Sequence, residues 1–253
     1  MTYPSGLNLD EAATVAATFG VALDQVRRDY LISLVLAALQ AHRDDLIFFG
    51  GTALARTYLT DGRLSEDIDL IAVTDRRAVA HAISRTIDRA LRVTHGRATW
   101  SVPLADIRDT DPATLRTEDG MSVRVQLLKA QGYAPWPTIV QNIHQRYSDV
   151  PPTRLRTPTR DSFAAWKTEA WFDRHAPRDL YDLWALAKIG AMTPSAADLF
   201  AEHAGMGLPQ DHMFSAAPTR QQWQEQLAGQ TRLTVTPEEA LQVVRSAWSV
   251  VCS

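Results

Sequence analysis

The spacing of apolar and polar positions changes character along this chain. From Leu9 to Phe19 apolar residues recur at helical spacing, with Asn8 or Asp10 as N-cap and Gly20 as a stop. Asp24 to Gln40 repeats the pattern more strongly. Val26, Tyr30, Ser33, Leu34, Leu36, Ala37 and Leu39 form a broad face that leaves Arg27, Arg28 and Asp29 outside it. The apolar run Leu46 to Phe49 then meets Gly50-Gly51, which predicts a strand entering a tight turn. Thr52 to Leu59 reads as the helix that follows. Beyond the Asp61-Gly62 turn the pattern alternates. Ser65, Asp67 and Asp69 fall on one side, Ile68, Leu70 and Ala72 on the other. A period of two is the mark of a half-buried strand, so the three polar residues are expected to share its open face.

Asp75 is placed to cap a helix from Arg76 to Arg92 with Val79, Ala82, Ile83, Ile87, Ala90 and Leu91 as its buried stripe. Thr99 to Leu104 predicts a strand. Ala113 to Thr117 and Ser122 to Leu128 flank Glu118-Asp119-Gly120 as a hairpin. Prolines 135, 137, 151, 152 and 158 cut the next stretch into strand pieces and loops. After Asp161 the periodicity is helical. Asp161 or Ser162 caps Phe163 to Arg174, and Pro177 opens Arg178 to Lys188, which Gly190 stops. Thr193-Pro194 and Thr236-Pro237 start two further helices, the latter running from Ala240 to Val251, and Gly205 to Gln210 is a loop. The expected fold class is α+β. Residues 1–158 are expected to form a sheet domain with N-terminal helices, and residues 159–253 a helical domain.

Composition narrows the classes. The 253 residues are 45% hydrophobic and 22% charged, enough for a sizeable core, and a net charge of −3 gives no global attraction to nucleic acid or membrane. Of 26 basic residues only Lys129, Lys167 and Lys188 are lysines, so lysine is not the default cation here. One cysteine, Cys252, excludes an intramolecular disulfide framework. No apolar run approaches a membrane span, and Met1 to Gly6 lacks the basic and apolar regions of a signal segment; a cytoplasmic protein with no membrane partner is expected.

Two carboxylates side by side on a strand repel unless a hard cation lies between them, and Mg²⁺ favours oxygen ligands together with substrate phosphates. The glycine pair ahead of them lets backbone N–H groups approach an anion. Strand, Gly50-Gly51, helix and then Asp67-Ile68-Asp69 therefore suggest metal-dependent nucleotidyl or phosphoryl transfer. Helix position alone makes Lys167 a surface lysine, though a long cation aimed at a triphosphate would offset developing charge. Asp179 and Asp182 share a helix face; as first-turn acids they suit the helix dipole, with Arg178 as an ion-pair partner.

Taken in order, Val26-Arg27-Arg28-Asp29-Tyr30, Phe49-Gly50-Gly51-Thr52-Ala53-Leu54, Arg63-Leu64-Ser65-Glu66-Asp67-Ile68-Asp69-Leu70, Lys167-Thr168-Glu169-Ala170 and Arg178-Asp179-Leu180-Tyr181-Asp182-Leu183 resemble the AbiEii/AbiGii toxin family of nucleotidyltransferases, to which the tRNA-modifying MenT-type toxins belong. The resemblance implies a DNA polymerase β-like nucleotidyltransferase core with a C-terminal helical domain that completes the active site. It implies Mg²⁺ at Asp67 and Asp69, nucleotide at Gly50, Gly51, Thr52, Ser65 and Lys167, and catalytic roles for Asp67, Asp69, Lys167 and Asp182. The implied activity is transfer of a nucleoside monophosphate from an NTP to RNA, the 3′ end of tRNA, with an antitoxin encoded nearby. Arg56, Arg63, Arg154, Arg156, Arg160 and Arg174 are candidates for the RNA path.

One position departs from the pattern. Polymerase β-like enzymes usually carry a third carboxylate on a neighbouring strand, and Gln126 stands there in Ser122 to Leu128, with Arg124 on the same face. Either Asp182 takes over part of that role, or deprotonation of the acceptor relies on metal and solvent. Two other functions fit the same residues: a nucleotidyltransferase acting on small molecules of the antibiotic kind, and a nucleotide-binding module without transfer activity.

Overall fold

The structure is a computed structural model describing residues 6–133 and 135–252. The expectation about a signal segment at Met1 to Gly6 thus falls almost wholly outside the described residues. The chain divides into two units. The described residues of Met1–Thr60, Leu64–Pro135 and Ile139–Thr157 form the first, and those of Asp61–Arg63, Trp136–Thr138 and Pro158–Ser253 the second.

In the first unit, α1 (Leu9–Phe19) starts where Asn8 accepts the backbone N–H groups of Asp10 and Glu11, and ends at a left-handed Gly20. Helix α2 (Leu23–Leu39) follows, then β1 (Leu46–Phe49), α3 (Gly50–Ala55), β2 (Asp67–Ala72) and α4 (Arg76–His95). Next come β3 (Ala98–Trp100), β4 (Ala113–Thr117), β5 (Ser122–Lys129), β6 (Thr138–Ile143) and β7 (Thr153–Pro158). Five strands form one sheet in the order β1-β2-β5-β4-β3; β6 and β7 pair separately. Strands β2 and β5 run parallel, joined by a crossover through α4, and the other pairs of the large sheet are antiparallel.

Alternation does what it predicts in β2. Ile68, Leu70 and Ala72 are fully buried, while Asp67 and Asp69 on the other face are partly accessible. Val79, Ile83, Ile87 and Leu91 of α4 and Val125 and Leu127 of β5 supply the apolar layer. Burial of these side chains is the main stabilising term, about 25 cal/mol per Å² of apolar surface.

A buried ion pair fixes α3. Arg56, which ends that helix, bonds Asp29 Oδ1 at 2.8 Å, the Ser33 hydroxyl at 2.8 Å and the His144 carbonyl at 3.1 Å. Burial pushes its guanidinium down to about 10, against the pull of Asp29. At 1% exposure Arg56 is not a surface residue for RNA.

The second unit is helical: α5 (Arg160–Arg174), α6 (Pro177–Lys188), α7 (Pro194–Ala204), α8 (Arg220–Leu227) and α9 (Pro237–Val251). Threonine caps recur. Thr159, Thr193, Thr219 and Thr236 each accept a first-turn N–H, the last two as full capping boxes. Thr159 rather than Asp161 or Ser162 starts α5, so that helix begins before the expected position. Helix α8 has only Trp223 and Leu227 buried, too weak a pattern to read from sequence. Trp171, Trp248, Phe163 and Phe200 fill the core, and the Trp171 indole N–H donates to the Met213 carbonyl at 2.9 Å.

Candidate active site

Gly50 is the first residue of α3 and has φ +75°, a left-handed conformation that costs any residue with a Cβ. A Cβ at this position would also overlap the Asp69 carboxylate. The glycine is therefore set by two independent demands, turn geometry and the closeness of an acid. Helix α3 is six residues long, shorter than Thr52 to Leu59 predicts, so any anion contact here comes from backbone N–H groups rather than an extended helix dipole. Thr52 is buried, and its hydroxyl donates to the carbonyl of Asp67. That bond ties the glycine turn to the first residue of β2.

Register completes the geometry. Phe49 lies opposite Asp69 across the β1–β2 pair, Arg124 lies beside Asp67, and Gln126 lies beside Asp69 on β5. Arg124 donates from Nε and Nη2 to the two carboxylate oxygens of Asp67, both at 2.7 Å. That hydrogen bonding to Asp67 raises the guanidinium pKa against the desolvation that opposes it. The Gln126 amide donates to the Thr110 carbonyl at 2.7 Å, so its side chain is engaged with the backbone. Ser65 is not part of the paired strand that alternation predicts. Pairing with β5 begins at Asp67, and Ser65 lies ahead of the strand at 9% exposure.

Within the helical unit a second charged cluster is buried. Asp182 accepts from Arg63 Nε at 2.8 Å and Nη2 at 2.9 Å, and pairs with Lys167 Nζ at 2.7 Å. Lys167 also donates to Asp179 at 2.9 Å, and Arg174 reaches Asp179 at 2.6 and 2.9 Å. Gln230 accepts from Arg63 Nη1 at 2.7 Å. Burial pushes both carboxylates up, but the cations outweigh it: Arg63 and Lys167 hold Asp182 below the usual range, and Lys167 and Arg174 do so for Asp179. For Lys167 burial pulls downward and Asp182 with Asp179 reverses it, so the ammonium is held charged.

Two expectations change. Lys167 is not a surface lysine but 8% exposed between two acids. Arg63, named for the RNA path, is 4% exposed and engaged by Asp182 and Gln230, so it presents no surface cation. Arg154 and Arg160 are exposed, Arg156 is half-buried with its Nε lacking a hydrogen bond among the described residues, and the outward Arg174 pairs with Asp179. Sequence reasoning placed Arg124 on the face of Gln126 but gave it no part in the site. Only the parallel register, which sets it beside Asp67, reveals its partner.

A sheet carrying paired aspartates after a glycine turn belongs with the nucleotidyltransferases, and solved structures share its fold. The chain is similar to MenT4, a nucleotidyltransferase toxin from Mycobacterium tuberculosis H37Rv, at 20% identity and TM-score 0.70, covering 98% of this chain and 90% of that one. It is also similar to a candidate nucleotidyltransferase from H. pylori, at 16% identity and TM-score 0.54, covering 91% of this chain and 96% of that one. No curated protein matches the chain. Residues 34–245 match the family described as "Nucleotidyl transferase AbiEii toxin, Type IV TA system", and the chain belongs to that family. It is a nucleotidyltransferase toxin of a toxin–antitoxin system, which implies an NTP substrate and an antitoxin. Among the described residues no helix is long and apolar enough to cross a membrane.

Proposed function

We propose that this toxin transfers a nucleoside monophosphate from an NTP to the 3′ end of tRNA, with release of pyrophosphate, and so blocks translation in the cytoplasm. The observation that carries the chemistry is the Asp67 and Asp69 pair on β2, with Gly50 packed so tightly against Asp69 that no side chain fits. The tRNA acceptor is supported by the resemblance to tRNA-modifying toxins, and the neutralising partner is an antitoxin encoded nearby.

The acceptor hydroxyl oxygen forms a bond to the α-phosphorus, the bridging bond to the β-phosphate breaks, and the hydroxyl proton passes to solvent. Gly50, Gly51, Thr52 and Ser65 line the triphosphate. Lys167 has three donors, of which Asp179 and Asp182 take two, leaving one for a phosphate oxygen. Asp182 is saturated by Arg63 and Lys167 and acts by holding the lysine charged and oriented, not as a base.

Among the described residues no group of three His, Cys, Asp or Glu side chains forms a metal cage. Two carboxylates suit Mg²⁺ nonetheless, because that ion keeps several waters and takes substrate phosphates as ligands. Asp67 and Asp69 would hold it, and it would neutralise charge on the phosphates. Arg154, Arg156, Arg160 and Arg174 would guide the RNA backbone.

Radiolabelled NTPs incubated with total RNA, and separately with aminoglycosides, test the substrate. Label in the tRNA band that an Asp69→Asn variant abolishes is the expected result. Label entering only the aminoglycoside would assign a small-molecule enzyme. Unchanged growth inhibition by Asp69→Asn would leave a binding module.

A further inference from the structure

Asp67 already has a partner. The Arg124 guanidinium lies beside it in the β2–β5 register and grips both carboxylate oxygens at 2.7 Å. The Arg124 side chain is 52% exposed and that of Asp67 28%, so the pair lies open to solvent and exchanges readily. Three consequences follow from the chemistry. A divalent cation arriving alone competes with a bidentate guanidinium for the Asp67 carboxylate and sits beside its charge. Gln126, neutral and bonded to Thr110, adds no third acid to help that cation. Once released, the planar fork of Arg124 matches a phosphate as well as it matched the carboxylate.

We propose that Arg124 is a substrate-positioning residue that exchanges partners. It holds Asp67 while the nucleotide is absent, weakens the binding of a divalent cation that arrives alone, and passes to an NTP phosphate when cation and nucleotide arrive together. This rests on the nucleotidyl-transfer site proposed above and adds to it an order of loading and a phosphate contact.

Mn²⁺ titrations followed by electron paramagnetic resonance, on the full chain without nucleotide, test the exchange. Arg124→Gln should bind Mn²⁺ roughly two- to fivefold tighter than the wild type, since an open ion pair no longer competes. With Mn²⁺ present, the same variant should bind α,β-methylene NTPs, tried one base at a time, at least roughly threefold more weakly. Arg124→Lys keeps the charge without the fork and should fall between wild type and Arg124→Gln for Mn²⁺; it serves equally if the glutamine variant does not fold. A merely supporting role for Arg124 predicts the opposite, weaker Mn²⁺ binding once Asp67 loses its brace. Mn²⁺ affinity in Arg124→Gln equal to or below that of the wild type overturns the exchange while leaving the transferase site intact, provided Asp67→Asn abolishes that binding. If Asp67→Asn changes Mn²⁺ binding in neither background, Asp67 is no metal ligand and both proposals fall.

Discussion

Asp182→Asn removes one charge and almost no volume from the buried cluster of the helical unit. Both Asp182 oxygens accept from Arg63, one of them also from Lys167, and the residue is 3% exposed. In the asparagine variant one of those acceptors becomes an NH₂ facing cationic donors. Lys167 and Arg174 are then left with Asp179 alone, and Arg63 loses its ion-pair partner. Breaking a buried pair by removing one partner costs about 3–5 kcal/mol. For a chain of this size each kcal/mol lowers the melting temperature by about 2–4 °C, so the loss is roughly 6–20 °C. Tryptophan fluorescence suits the measurement, because of seven tryptophans only Trp100 lies outside the helical unit. The double variant Arg63→Met with Asp182→Leu, which replaces the pair by apolar groups, should recover more than half of that stability without recovering transfer activity. A shift under about 2 °C for Asp182→Asn would refute the view that this network holds the unit together.

Gly50→Ala forces a Cβ into a left-handed backbone and onto Asp69; the strain alone costs about 1–2 kcal/mol, and transfer activity should fall at least tenfold, measured as label incorporated into RNA. Asp179 and Asp182 titrate below their unfolded range. The stability they contribute is full above the unfolded carboxylate value near about 4 and is lost as pH falls through their folded values. The fluorescence melting temperature should therefore stay level from neutral pH to about pH 5 and drop below about pH 4, and Asp179→Asn should flatten that drop. Replacing exposed Arg154 and Arg160 by glutamine should lower tRNA affinity and reduce the salt slope of binding by roughly one to two units, read from filter binding across salt concentrations; an unchanged slope removes these arginines from the RNA path.

Periodicity alone carried most of the architecture. Strand β2 with its buried Ile68, Leu70 and Ala72, the hairpin of β4 and β5, and helices α1, α4, α6 and α9 are legible because each has one apolar face, which the chain must cover whatever its partners. Gly50-Gly51 and Asp67-Ile68-Asp69 were legible for the same local reason: a turn and a strand set the directions of their own side chains. Burial of a charge is different, since it depends on what packs around it. Lys167 has the spacing of a surface lysine and is charged in the interior only because Asp179 and Asp182 arrive from the next helix. Arg63 reads as a surface cation from its sequence neighbours and becomes a buried clamp because Asp182 and Gln230 lie far along the chain. Arg124 and Asp67 are linked by a parallel register between β2 and β5, which no local pattern encodes. The sequence by itself determined which residues could do the chemistry. Tertiary structure decided which charges are neutralised, because ion pairing acts through space between groups that the chain brings together only on folding.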